Sequence, residues 1–208
     1  MRFCQKPPLI NLSDLKYLIF GFVLTVSSIC SAQKLTFDIY LFGNIIGQTV
    51  VERVIKNDSI AQYTLNSNSE AHVLLTTRIT TLNYDITYKR GHLFTSYSKH
   101  TRNDELHITS VQWQGGKYVI TSDKVVSNLA QIIDCSTVKL FFAEPCSPTS
   151  VFSERLGENR ALKKTADGVY QADMKEGITY IYRYKNGKLV ELEMKNGILG
   201  SSYIRPHQ

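Results

Sequence analysis

Few features of this sequence point to a familiar class of protein. The 208 residues contain only four cysteines and one tryptophan, and the formal charge of +6 is spread along the chain. There is no run of five like charges and no stripe of arginines, which a nucleic-acid-binding surface usually shows. The composition therefore argues against a nucleic-acid partner.

Catalytic motifs are equally scarce. The sequence has no Gly-x-Ser-x-Gly elbow, no His-Glu-x-x-His pair and no glycine-rich loop of the kind that cradles phosphates. Its nearest approach to a polar cluster is Ser153-Glu154 together with Glu144, a pattern more typical of a structured loop than of an acid–base pair. We therefore expect no enzymatic activity and no cofactor.

Long hydrophobic runs are missing too, and the one short run lies near the N-terminus. Lys6 and Lys16 precede the apolar residues 17–26, and the small residue Ala32 follows them. A run of about ten residues is half of the ~20 that span a bilayer, but it suits the export machinery. The pattern predicts a secretory signal peptide over residues 1–32.

Export sets the expectations for the rest of the chain. Residues 33–208 should form one domain, without a transmembrane span, in the periplasm or outside the cell. Lipid anchoring at Cys30 is disfavoured because the bulky Ile29 precedes it. In an oxidising compartment we expect a disulfide between Cys135 and Cys146, whose spacing is not that of a Cys-x-x-Cys redox pair.

The mature chain is patterned as strands. Val, Ile, Thr, Tyr and Phe dominate short runs that Gly, Asn and Asp interrupt at intervals of about ten residues. About ten antiparallel strands are predicted, three of them in the last forty residues. The other seven are 35–41, 45–55, 60–67, 71–88, 93–101, 106–113 and 117–121.

One segment breaks the strand pattern. Apolar residues recur there at three- and four-residue spacing, which predicts one or two short helices; they are Leu129, Ile132, Ile133, Leu140 and Phe141. A single flat sheet of so many strands is improbable. The expected fold is mainly all-β: a strongly curved antiparallel meander, a roll or half-barrel, with the helical segment covering its open side.

The C-terminal hairpins carry the clearest turn signals. Asn186-Gly187 and Asn196-Gly197 both favour two-residue type I′ turns. Folding about them predicts the pairs Tyr184 with Leu189, Tyr182 with Glu191, and Met194 with Leu199. In that register Ile181 and Val190 face the core, whereas Tyr180 and Tyr182 lie on the wetter face.

Three segments resemble a known family. Residues 37–47, 140–145 and 151–154 are similar to blocks of an exported Bacteroidota family of unknown function and, more distantly, of another uncharacterised periplasmic family. The resemblance implies an exported, single-domain, mostly β protein with no assigned activity. It implies no catalytic residues.

A histidine pair is the sharpest local constellation. If Asn103-Asp104 forms a two-residue turn, His100 lies directly opposite His107, and the two imidazoles could share a metal such as zinc, with Asp104 or Glu105 nearby. Two ligands do not complete a site. The alternative is an exposed polar pair near a hairpin tip.

Tyrosines form ladders on two strands. Tyr84 and Tyr88 share one face of their strand, and Tyr180 and Tyr182 one face of theirs. Such residues commonly bridge core and solvent. With Phe141 of the covering segment, they are also the candidates for binding a lipid or another amphiphilic molecule on a concave face.

Two functional hypotheses follow. The first is a binding or carrier protein of the cell envelope, and the second is an envelope structural or interaction protein with a filled core. An enzyme or a metal-binding protein that uses His100 and His107 is a distant third. An open apolar cavity of a few hundred Å³ would favour the first hypothesis. The sequence predicts no oligomeric state.

Overall fold

The computed structural model describes residues 31–73, 76–146, 149–175, 177–197 and 200–208; nearly all of the predicted signal peptide lies outside them. The described residues form fourteen strands. These are β1 Ser31–Leu41, β2 Asn44–Asn57, β3 Ile60–Val73, β4 Thr76–Lys89, β5 His92–Arg102, β6 Glu105–Gln114, β7 Lys117–Ser122, β8 Val125–Leu129, β9 Ser150–Ser153, β10 Glu158–Ala166, β11 Val169–Asp173, β12 Ile178–Lys185, β13 Lys188–Asn196 and β14 Gly200–Pro206.

All fourteen strands belong to one antiparallel sheet. Strands adjacent in sequence pair with each other except β8 and β9, and β14 returns to pair with β1. The sheet order is therefore β8 to β1 followed by β14 to β9, and β8 and β9 are the free edges. The all-β antiparallel prediction is confirmed, whereas the count of about ten strands is wrong.

Four strands escaped prediction: β8, β9, β10 and β11. Strand β8 follows a turn at Asp123 and Lys124, which both have positive φ although neither is glycine or asparagine. In β10 only Leu162 is buried, so its apolar alternation is weak. The Asp167-Gly168 turn between β10 and β11 was a recognisable hairpin signal that the prediction overlooked.

The predicted long strand over residues 71–88 spans a strand junction. Strand β3 continues to Val73, which pairs with Thr76 at the start of β4. The run contains no glycine or proline that would mark the turn. Its reversal depends on pairing across all of β3 and β4, which local sequence does not reveal.

The first C-terminal hairpin begins as predicted and then departs from the expected register. Tyr184 pairs with Leu189, but a bulge follows in which Arg183 pairs with Glu191. Val190 is the extra residue and is 40% exposed. A one-residue slip exchanges the faces of a strand. Tyr182 consequently pairs with Leu192 instead of Glu191, and both are buried. The expected core residues are not fully buried, because Ile181 is half-buried and Val190 is exposed.

The second C-terminal turn is longer than the predicted two residues. Asn196 pairs with Gly200, so three residues separate the paired positions. Met194 is opposite Ser202 rather than Leu199, which itself lies outside the described residues. The predicted Met194–Leu199 pair is therefore wrong.

The sheet is curved. The Thr109 hydroxyl of β6 donates a hydrogen bond to the carbonyl oxygen of Arg155, in the turn between β9 and β10, at 2.9 Å. In a flat sheet of this order the two residues would be some ten strand spacings apart, or about 50 Å. The inner face must therefore curl around a common interior.

Residues 130–146, here called the crossing segment, run from the β8 edge towards the β9 edge through this interior. The predicted helices are wrong, because the segment contains a single 3-10 turn at Lys139–Phe141 and is otherwise irregular. Ile133, Val138 and Leu140 are buried in the same core as the sheet. The three- and four-residue spacing of apolar side chains therefore reflects their burial in the core and not a helix.

In the described ranges no helix has the length and apolar character to cross a membrane.

Candidate ligand-binding site

The interior has two unlike ends. At one end, here called the filled end, the crossing segment packs against the sheet. At the other, the open end, lies a cavity of about 310 Å³. Its apolar wall includes Ile39, Leu65, Leu82, Leu192, Met194 and Ile204.

Small side chains on the inner face leave space at the open end. Along β3 the inward residues change from Tyr63 and Leu65 to Ser67 and Ser69. Leu65 and the two serines line the cavity. Gly47 of β2 pairs with Ser69, and a Cβ added to it would lie 2.0 Å from the Asn68 carbonyl oxygen. Only glycine permits this close backbone approach.

Tyrosine hydroxyls attach the crossing segment to the sheet at the filled end. Tyr88 donates to the Ser136 hydroxyl at 2.6 Å, and Tyr184 donates to the Leu140 carbonyl at 2.7 Å. Tyr118 accepts a hydrogen bond from the backbone N–H of Ile133 at 3.3 Å. The bonds of Tyr184 and Tyr118 satisfy backbone groups of the crossing segment that no helix satisfies.

The buried carboxylate of Glu154 completes the filled end. It accepts hydrogen bonds from the backbone N–H and the hydroxyl of Thr137, and from the backbone N–H of Val138 at 3.2 Å. Burial raises the pKa of Glu154, and hydrogen bonds from Ser136 and Thr137 oppose that rise. The residue that looked like a weak acid–base candidate is thus a backbone acceptor.

The five candidate ligand-binding residues divide between the two ends. Tyr84, Tyr180, Tyr182 and Phe141 line the cavity. Tyr88 lies at the filled end and bonds to the crossing segment instead. Tyr180 and Tyr182 lie on the inward face of β12, and the bulge in β13 places Leu192 and Met194 opposite them.

Basic side chains line the cavity together with hydroxyl groups. Arg78 of β4, Arg102 of β5 and Arg155 of the β9–β10 turn line it, as does His100. Sequence reasoning missed the three arginines, because they are far apart in the chain and form no motif. Among the described residues that line the cavity there is no aspartate or glutamate.

The predicted histidine register is confirmed. His100 pairs with His107 across a turn at Asn103 and Asp104, both with positive φ, and the rings stack with centroids 6.0 Å apart. Within the described ranges no three potential metal ligands come together. The metal hypothesis therefore gains no further ligand.

An acid outside the predicted set orients one of the histidines. Nδ1 of His107 lies 2.7 Å from Oδ2 of Asp123, and the Ile108 N–H donates to the other carboxylate oxygen. The hydrogen bond with Asp123 raises the pKa of His107, and the same bond lowers that of Asp123. The pair therefore stabilises the protonated form of the His107 imidazole.

The predicted disulfide is absent from the structure. Cys135 is half-buried and Cys146 is exposed, and both are free thiols. Cys135 lies beside β9, where its carbonyl oxygen accepts a hydrogen bond from the Phe152 N–H at 3.0 Å. Burial raises the pKa of the Cys135 thiol to about 11.

Comparison with known proteins supplies a family but no activity. Neither the curated proteins nor the solved structures include a significant match to this chain. A family model matches residues 37–207, which cover the whole sheet except the first residues of β1. The chain therefore belongs to the family DUF6134, a domain of unknown function.

Proposed function

We propose that this protein is a non-catalytic, exported binding protein that holds the apolar chain of an amphiphilic molecule in its cavity. The observation that supports this most directly is the open end itself. Protein interiors are close-packed and leave few voids larger than a water molecule. A cavity of about 310 Å³ beside a well-filled core is therefore a specialised feature.

The size and lining of the cavity favour a single chain. Ligand pockets commonly measure about 300–1,000 Å³, so this one is at the small end of that range. Its wall combines leucine, isoleucine and methionine side chains with hydroxyls such as those of Thr49 and Ser67, which bond to each other at 2.8 Å. A slender chain with a polar end matches such a lining better than a large rigid ring system.

The alternative is an envelope protein that acts only through its outer surface. The filled end supports that alternative, since Leu140, Phe152 and Tyr88 leave little space there. The open end does not, because Ser67 and Ser69 line it at inward positions where larger side chains would complete the core. We therefore favour the binding protein.

Export remains part of the proposal. Cleavage after Ala32 would remove Ser31 and Ala32, which pair with Ile55 and Val54 at the end of β1. The remaining β1 pairs run from Gln33 to Leu41. N-terminal sequencing of the protein recovered from the periplasm or the medium should begin at Gln33, whereas an intact Met1 would contradict export through a cleaved signal.

Calorimetry with an uncharged chain tests binding. The chain expressed in full, as its host processes it, should bind 1-decanol with one site. Ser69→Phe should reduce that affinity at least tenfold by filling the cavity, whereas Asn68→Phe, on the exposed outer face of the same strand, should leave it unchanged. Absence of decanol binding, or equal effects of the two variants, would reject the site.

A further inference from the structure

The three cavity arginines converge from separate parts of the chain. Arg102 of β5 pairs with Thr80 of β4, and Arg78 is two residues from Thr80, so Arg78 and Arg102 are diagonal neighbours on the inner face. Diagonal neighbours lie about 7–8 Å apart, within reach of long side chains. Arg155 reaches the same cavity from the β9–β10 turn.

These arginines differ from Arg160, Arg183 and Arg205 elsewhere in the sheet, which form ion pairs with carboxylates. Arg183 forms ion pairs with Glu191 and Glu193, and Arg205 forms one with Glu191. Within the described ranges, Arg78, Arg102 and Arg155 make no ion pair with a carboxylate. Three positive charges therefore face the cavity without an acidic partner.

Two acids adjacent to these arginines, one in the sheet and one in the chain, have other partners. Glu105 is directly opposite Arg102 in the sheet, but its carboxylate lies 3.5 Å from His107 and does not line the cavity. Glu154, the neighbour of Arg155, is fully buried and accepts hydrogen bonds from the crossing segment. The positive charge at the open end is thus left for a bound group.

Guanidinium groups bind carboxylates and phosphates through paired, charge-assisted hydrogen bonds. We infer that the ligand of this cavity carries an anionic carboxylate or phosphate headgroup, which Arg78, Arg102 and Arg155 hold while its single apolar chain occupies the pocket. This inference rests on the proposed function and specifies its ligand class. The arginines would then select among amphiphiles by headgroup charge.

Four ten-carbon probes separate the contributions of headgroup and chain. Calorimetry on the full chain should use decanoate, decyl phosphate, 1-decanol and decyltrimethylammonium, with inorganic phosphate as a chainless anion. At least one of the two anionic probes should bind ten times more tightly than decanol or more. Decyltrimethylammonium and inorganic phosphate should bind more weakly than decanol.

Substitutions test the arginines themselves. Arg78→Gln with Arg102→Gln should lower the affinity for the preferred anionic probe at least ten times more than it lowers the affinity for decanol. Arg102→Lys keeps the charge but loses the planar fork, so its affinity for the anionic probe should lie between those of the unchanged protein and the double variant. Lys99→Gln is the matched control, since Lys99 is exposed on the outer face of the same strand. It should have little effect.

Each contrary result has one meaning. Equal affinity for decanol and both anionic probes, or unchanged anion binding in the double variant, would overturn the headgroup inference and leave the apolar site standing. Failure of every decyl probe to bind would overturn the proposed function as well. Inorganic phosphate that binds as tightly as decyl phosphate would overturn the chain-and-headgroup combination.

Discussion

The filled end and the open end share strands β4 and β12 and differ in what each interior polar group contacts. At the filled end, the hydroxyls of Tyr88 and Tyr184 and the carboxylate of Glu154 bond within the chain. At the open end, Arg78 and Arg102 have no carboxylate partner among the described residues. This difference supports the proposal that the filled end supplies stability and the open end supplies the binding site.

The largest expected effect is at the filled end. Glu154→Ala would remove the acceptor of three hydrogen-bond donors and leave them buried, which should lower the free energy of unfolding by at least about 3 kcal/mol. Denaturant titration measures the change. Glu70→Ala, whose carboxylate is exposed, should change it by less than about 0.5 kcal/mol. Similar losses in both variants would contradict the stabilising role of Glu154.

Substitutions of two tyrosines of β12 allow the stability contributions of the two ends to be compared directly. Tyr184→Phe removes the hydroxyl that donates to the Leu140 carbonyl, and should cost about 1 to 2 kcal/mol of unfolding free energy. Tyr180→Phe, at the open end, should cost less than about 0.5 kcal/mol. No hydrogen bond to the Tyr180 hydroxyl occurs among the described residues. The reverse order would show that the two ends are not specialised as inferred.

Thiol reactivity reports on burial near the filled end. At pH 8 without reductant, Cys146 should react with iodoacetamide at least ten times faster than Cys135. Cys135 is half-buried and its pKa is raised to about 11, so little thiolate is present. Peptide mapping follows each site separately. If both sites were protected until a reductant is added, the two thiols would be joined after all.

The smallest effect concerns the His107–Asp123 pair beside the open end. Because the folded pKa of His107 is raised, its contribution to stability is complete below the unfolded value of about 6.5 and is lost as pH rises through the folded value. The lowered pKa of Asp123 makes its contribution complete above about pH 4 and lost as pH falls through the folded value. Asp123→Asn should lower the pKa of His107 in an NMR titration. An unchanged pKa would show that the contact does not persist in solution.

Local sequence predicted the antiparallel class and the pairing of His100 with His107. It also predicted the approximate positions of seven strands before residue 122. It missed β10, because that strand has only one buried residue and so a weak apolar alternation. It also missed the β12–β13 register beyond Tyr184, because no sequence pattern marks the bulge that changes the pairing. At the site, four of the five candidate ligand residues line the cavity. The arginines were not foreseen, since nothing in their spacing relates them.

Alternating apolar residues and turn-forming dipeptides act over a few positions, so the sequence by itself determined that this chain is an antiparallel β protein with a hairpin at Asn103-Asp104 and another at Asn186-Gly187. Only the tertiary structure decided the path of the crossing segment, the role of Glu154 and the charge around the cavity. Those features arise where residues distant in the chain meet, and their energies depend on burial and on partners that no local pattern specifies.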